Sequence, residues 1–246
     1  MRGSNVMKRQ RGVALLLVLW VLALLSTLLA GLVGWVHLQN RQALWQRQQT
    51  QALLAAEAGI GMAVLAQLDR DPVRHWRADG QPHALQFDEA SLAVSLTSEA
   101  GKLDINAAPV DSLARLVVAC GGSAEQSAQL SQALNQRRRG ERAPLRTIEE
   151  VRELAGMDQH RYTCASAHLT LWSGLPAPDA RLASPWLRRA LKLPQSSATT
   201  TQAGPVITLQ SRATLPGGFS KTLSVTLLLN PSKEGVRPYR VLRWQE

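Results

Sequence analysis

From Val13 to Val36 the chain carries no charged residue, and Leu, Val and Ala dominate the run. A helix rises ~1.5 Å per residue, so the run covers about 36 Å, enough to cross a hydrocarbon core of about 30 Å with some tilt. Ahead of it lie Arg2, Lys8, Arg9 and Arg11 with no acidic residue among them. That asymmetry holds the N-terminus in the cytoplasm and carries the rest of the chain across. A cleaved secretory signal fits less well. Its apolar region is ~7–15 residues and ends at a small-residue site, whereas here Ala30-Gly31 sits inside a pattern that continues.

At 246 residues there is room for one anchor and one modest domain, or two small ones. Of the formal net charge of +10, four charges come from Arg2, Lys8, Arg9 and Arg11. A basic balance can point to nucleic acid or anionic lipid, but membrane topology and one arginine cluster account for much of it. The two cysteines, Cys120 and Cys164, would be free thiols in a cytosolic protein and can pair in an oxidising compartment beyond the membrane. Closing that loop would contribute ~4 kcal/mol in the chain-entropy account.

The first proline after the apolar run is Pro72, so a helix can continue from Val13 to Leu68 without losing a backbone donor. After His37 the composition turns to Gln, Arg and Ala. Apolar residues now recur at helical spacing: Leu38, Trp45, Ala52, Leu53, Ala56, Ile60, Val64 and Leu68. The reading is one helix, with residues 13–36 in lipid and 37–71 beyond it, its outer stripe packed on a domain and Asp69-Arg70-Asp71-Pro72 ending it. Gly31 and Gly34 are places where backbones can approach within the membrane.

Alternation over Ala84–Phe87 and Ser91–Thr97 predicts strands within 84–99, with Asp88-Glu89-Ala90 turning between them. Residues 103–193 switch to helical spacing and predict a small all-helical insertion. Pro109–Ala119 ends at Gly121-Gly122. Ser123 with Gln126 and Thr147 with Glu150 make capping boxes, the latter for a short helix stopping at Gly156, and Ser184-Pro185 opens a last helix. A flexible link at 196–201 leads to alternating strands within 205–246, turning at Pro216-Gly217-Gly218 and again at Asn230-Pro231-Ser232 and Gly235, with a last strand over Tyr239–Trp244. Strands on both sides of the helical module place it as an insertion in one antiparallel sheet that packs on the first helix, an α+β architecture.

The junction Arg11-Gly12-Val13, a basic leader followed by one glycine and then apolar residues, resembles a class III, type IV prepilin-like leader. The whole order resembles the pilin and pseudopilin fold. The run Lys102-Leu103-Asp104-Ile105-Asn106-Ala107-Ala108-Pro109, Leu113, the arginine run, Pro144-Leu145, the segment Ile148–Leu154 and the end Pro238–Trp244 are similar to the minor pseudopilin K family of type II secretion (general secretion pathway protein K). Members often carry two such helical repeats; this chain has room for one. The resemblance implies a leader over residues 1–12, or one starting at Met7, cut by prepilin peptidase between Gly12 and Val13, with methylation of the new N-terminus. It implies the inner membrane as location, with the C-terminal domain in the periplasm. The implied partners are other minor pseudopilins, the major pseudopilin, the inner-membrane secretion platform and membrane lipid. Most pilin-like subunits carry Glu five residues into the mature chain, where it meets the N-terminal ammonium of the preceding subunit; here the position is Leu17. A buried carboxylate needs such a partner and Leu17 needs none, which fits a subunit at the tip of the pseudopilus.

No catalytic motif is present: no HExxH spacing among the histidines, no GxSxG elbow, no P-loop and no CxxC. An enzyme is not expected, and no cofactor apart from calcium. Calcium is reported in the K family's inserted domain, so the resemblance leaves it open here, although Asp69/Asp71, Asp88/Glu89 and Asp104 are sparse for an ion that takes ~6–8 oxygens. A rival reading takes Leu103–Leu154 as a helix-hairpin-helix module of a membrane-anchored DNA-uptake protein, with Arg137-Arg138-Arg139 and Arg142 on phosphates. Its turn, Cys120-Gly121-Gly122-Ser123, matches that motif poorly. The charge run reads better as a solvated or partner-facing surface, and nucleic acid is not expected as a partner.

Overall fold

The computed structural model describes residues 10–69, 71–140, 143–194, 203–229 and 238–246, with side chains from Ala14 onward. Arg2, Lys8, Arg9, the candidate start Met7, Arg142, the link at 196–201 and the turn containing Asn230-Pro231-Ser232 and Gly235 lie outside the described residues.

Helix α1 runs unbroken from Gln10 to Leu68. Every side chain from Ala14 to Gln48 is exposed. By length and composition α1 can cross a membrane, with a mean hydropathy of 2.6 in its apolar window. Ser26 and Thr27 donate to the carbonyls of Leu22 and Leu24, each at 2.8 Å, so their hydroxyls are satisfied within the helix. That is what a polar side chain in lipid requires.

From Ala52 onward α1 has a buried face, made by Ala52, Ala55, Ala56, Ile60, Ala63 and Val64. Steps of three and four keep these on one side, and the alanines let the backbone come close to the sheet. The packed stripe therefore begins at Ala52, later than the sequence pattern implies; Leu38 and Trp45 are exposed. Asp69 ends the helix by accepting from the Asp71 amide at 2.9 Å, and Arg74 bridges Asp69 and Asp71.

Five antiparallel strands lie in the order β1 (His83–Phe87), β2 (Ala90–Ser98), β5 (Val206–Thr214), β6 (Ser220–Leu229) and β7 (Tyr239–Gln245). Leu92, Val94 and Leu96 of β2, Ile207, Leu209 and Ala213 of β5, and Leu223, Val225 and Leu227 of β6 form one core with α1. Ser91 through Ser98 of β2 pair directly with Thr214 through Ile207 of β5. The sheet thus closes across the point where the inserted module leaves and returns.

The module has a second core, built on Leu103, Ile105, Leu113, Leu116, Leu130, Leu134, Ile148, Leu169 and Leu187 among others. Its helices are α2 (Val110–Ala119), α3 (Ala124–Arg139), α4 (Gln159–Ser166) and α5 (Pro185–Leu191), with a 3-10 segment over Ile148–Glu153. It is not purely helical. Two-residue strands β3 (Leu103–Asp104) and β4 (Leu169–Thr170) pair in parallel. The reason is backbone accounting: buried amides of Leu103 and Ile105 need acceptors and find them at the His168 and Thr170 carbonyls, 2.9 and 3.0 Å away.

Candidate functional site

Gly12 and Val13 fall in the first turn of α1; their side-chain surroundings lie outside the described residues. Leu17 stands on the exposed apolar surface of that helix, and the first acidic residue of the chain is Glu57. The N-terminal segment therefore brings no carboxylate into the apolar stretch.

In the module, the polar residues of the Lys102–Pro109 run hold loops together. Asp104 is buried and accepts from the amides of Asn106, Ala107 and Gly174 and from the Ser173 hydroxyl. Asn106 donates to the Leu145 carbonyl at 2.9 Å and accepts from the Leu145 amide at 3.0 Å, acting as a strand partner for Pro144-Leu145. Cys120 and Cys164 are joined in a disulfide, with Cα atoms 5.8 Å apart, which ties the end of α2 to α4.

Arg138 and Arg139 of the arginine run are exposed and Arg137 is half-buried. Arg137 pairs with Glu150 at 2.9 Å. The Arg146 and Thr147 amides, first, and then the Arg137 charge hold the Glu150 carboxyl below its ordinary range. Arg138 donates to the Ile105 and Ala108 carbonyls at 2.9 and 2.7 Å. Arg139 is exposed and has no such role among the described residues. The turn after α2 is also closed to phosphate. The Gly121 and Gly122 amides donate to the Val118 and Val117 carbonyls at 3.0 and 2.9 Å, with Gly121 left-handed at φ 84°, a Schellman cap. A helix-hairpin-helix needs those amides for phosphate and the arginines for charge; the two glycine amides, Arg137 and Arg138 are engaged within the fold, which argues against the nucleic-acid reading.

Where the module meets the sheet the contacts are polar. Glu99, in the 3-10 turn Glu99–Gly101 after β2, is 1% exposed. It accepts from Lys102 Nζ and from the Thr208 hydroxyl, each at 2.6 Å, and Thr208 shares a 2.8 Å hydrogen bond with Thr226. On the far side Arg243 of β7 pairs with Glu149 of the module. Between these two links lies a cleft of about 280 Å³. His168 stacks on Trp186 with ring centroids 4.4 Å apart; burial, and then the Lys102 charge, push its imidazole below the ordinary value. Sequence reasoning did not single out Glu99, Lys102, Glu149 or Arg243 as joint residues, since each is an ordinary charge until the chain folds back.

Among the described residues no group of three or more His, Cys, Asp or Glu side chains is placed to hold a metal ion. Asp69 and Asp71 share Arg74, and Asp104 accepts from three amides and a hydroxyl.

No family model matches the chain, and no curated protein matches it in sequence. Among solved structures it is similar to a chain of the GspK–GspI–GspJ complex from the type 2 secretion system of enterotoxigenic Escherichia coli. The TM-score is 0.58 at 14% identity, over 83% of this chain and 98% of that one. At that identity the likeness is one of fold: a pilin-like α+β arrangement of a long N-terminal helix, a five-stranded antiparallel sheet and a helical portion.

Proposed function

We propose that this chain is a minor pseudopilin of a type II secretion system, anchored in the inner membrane by the apolar part of α1 with its C-terminal domain in the periplasm. The observation that carries the reading is the fold likeness to nearly the full length of a chain from a pseudopilin complex. The basic leader, the uncharged run and the absence of any acid before Glu57 support it from the sequence side. Prepilin peptidase cuts between Gly12 and Val13, and the new N-terminus is methylated. With Leu17 in place of the usual acid, the subunit requires no subunit ahead of it and sits at the tip of the pseudopilus. From there it joins other minor pseudopilins, the major pseudopilin and the inner-membrane platform to drive export across the outer membrane. Its work is structural: it performs no catalysis and uses no cofactor.

N-terminal mass spectrometry of the protein from its native membrane tests this. The expected mature chain begins at methylated Val13, and Gly12→Leu leaves an uncut precursor with secretion lost. A native protein retaining residues 1–12 while secretion runs normally would falsify the reading.

A further inference from the structure

We propose that the cleft between the inserted module and the sheet is a binding site for a neutral, hydroxyl-rich ligand, a sugar unit of a glycan. Its volume, about 280 Å³, lies at the lower end for small-ligand sites, near ~300 Å³. Its lining includes Lys102, Tyr162, Trp172, Ser224, Arg243 and Gln245.

The chemistry of that lining excludes the other classes one by one. Both cations are already answered, Lys102 by Glu99 and Arg243 by Glu149, so no net positive charge is left to draw a phosphate or an acidic peptide. Glu149 is the one carboxylate in the lining, and Arg243 holds it, so a divalent cation lacks ligands. An extended peptide would need unpaired backbone groups. The floor, however, is the face of the sheet: Thr208 on β5 and Ser224 and Thr226 on β6, strands paired on either side. Arg243 and Gln245 of β7 are the cross-strand neighbours of Thr226 and Ser224, and the unpaired backbone groups lie along the outer edge of β7 rather than on that face. An apolar ligand would leave the Ser224 hydroxyl and the Gln245 amide without partners, whereas Thr208 and Thr226 are already bonded to Glu99 and to each other.

What remains suits a sugar. The Ser224 hydroxyl and the Gln245 amide each both donate and accept, as sugar hydroxyls do. The two ion pairs offer a donor and an acceptor side by side. Trp172 and Tyr162 add amphipathic ring surface on the module side. Ser224 and Gln245 are register partners on β6 and β7, so two of these groups are fixed by the sheet ladder itself. The inference is independent of the secretion role: sugar binding and assembly can each fail without the other.

The test uses the full chain in phosphatidylethanolamine/phosphatidylglycerol nanodiscs, with ligand-detected saturation-transfer NMR and calorimetry. The probes are maltotetraose, chitotetraose and an oligoglutamate peptide. One or both neutral oligosaccharides should bind, with a millimolar or tighter Kd. Chitotetraose alone points to an amino-sugar polymer of the cell wall, maltotetraose alone to a plain glucan. Ser224→Ala/Gln245→Ala should weaken binding about 3- to 10-fold with circular dichroism unchanged, because neither side chain makes a hydrogen bond among the described residues. Trp172→Leu should reduce the saturation transfer from aromatic protons, leaving the share from Tyr162. No binding of either sugar, equal binding by the Ser224/Gln245 variant, or binding of oligoglutamate alone overturns the proposal.

Discussion

Gly59 and Gly61 lie two residues apart in α1, and replacing each by alanine should move stability in opposite directions. Gly61 is exposed, and a Cβ there would meet nothing within 4 Å. Gly61→Ala should therefore gain the usual helical difference, ~1 kcal/mol. A Cβ on Gly59 would collide with the Ser211 hydroxyl on β5 and come within 3.1 Å of Val94 Cγ2 and 3.3 Å of Leu92 Cδ1. Overpacking of this kind costs ~1–3 kcal/mol, so after the helical gain Gly59→Ala should lose up to about 2 kcal/mol. Ser211 is the second half of the experiment. It is 0% exposed, and its Oγ has no hydrogen-bond partner among the described residues. Ser211→Ala removes a buried polar atom at no cost in hydrogen bonds and should stabilise by ~1 kcal/mol. In that background the closest contact of the new Cβ is gone, and Gly59→Ala should become neutral or stabilising. The double-mutant cycle then shows a coupling of at least ~1 kcal/mol. Urea or thermal unfolding of the full chain in nanodiscs, followed by near-UV circular dichroism, reads all four proteins; each kcal/mol should move Tm by about 2–4 °C for a chain of this size. Equal signs for Gly59→Ala and Gly61→Ala, or additivity of Gly59→Ala with Ser211→Ala, would refute the close approach of helix and sheet.

Two further outcomes follow from the module. Cys120→Ala/Cys164→Ala opens a loop of sequence separation 44 and should cost ~2–4 kcal/mol, read as faster hydrogen exchange in α2 and α4 while the β2–β5 amides stay protected. His168 favours its neutral form in the fold, so the unfolded chain takes up the proton first as pH drops. Stability should hold above about pH 7 and fall below ~6.5, and His168→Gln should flatten that dependence in urea titrations across the range.

The helix and strands were legible because their periods are local. The steps of three and four through Ala52, Ala56, Ile60 and Val64, and the alternation of Leu92, Val94 and Leu96, are set by backbone geometry and need no knowledge of partners. Ser211 shows the limit. It occupies an inward slot between Leu209 and Ala213, and only the missing Cβ of Gly59, far away in sequence, explains why a small residue belongs there. Asp104 and Asn106 were visible as a motif but not as what they do, since their partners lie 70 and 39 residues away. The short helix α4 carries a readable start, Asp158 accepting from the Arg161 amide, that is easily lost beside stronger signals. The arginine run does face water at Arg138 and Arg139, but nothing in the sequence marks the Ile105 and Ala108 carbonyls as acceptors for Arg138.

The two hydrophobic cores share no residue, and that separation decides how the insertion is borne. β2 and β5 complete their ladder without the module, and Ser98 donates to the Ala203 carbonyl at its base, so the sheet is whole whether or not the module is in place. The module in turn closes on itself through β3–β4 and the disulfide. What joins them is charge and hydroxyl: the buried Glu99–Lys102–Thr208 group on one side and the more exposed Arg243–Glu149 pair on the other. A pair as exposed as the second contributes at most about 1 kcal/mol, whereas a carboxylate as buried as Glu99 is costly to leave unpaired. The buried group therefore fixes where the module attaches, and the exposed pair sets only how closely it lies on the outer face of the sheet. A seam built this way leaves a polar-lined cleft, which an apolar joint would have closed, and that is why a site for a hydroxyl-rich ligand can exist there at all.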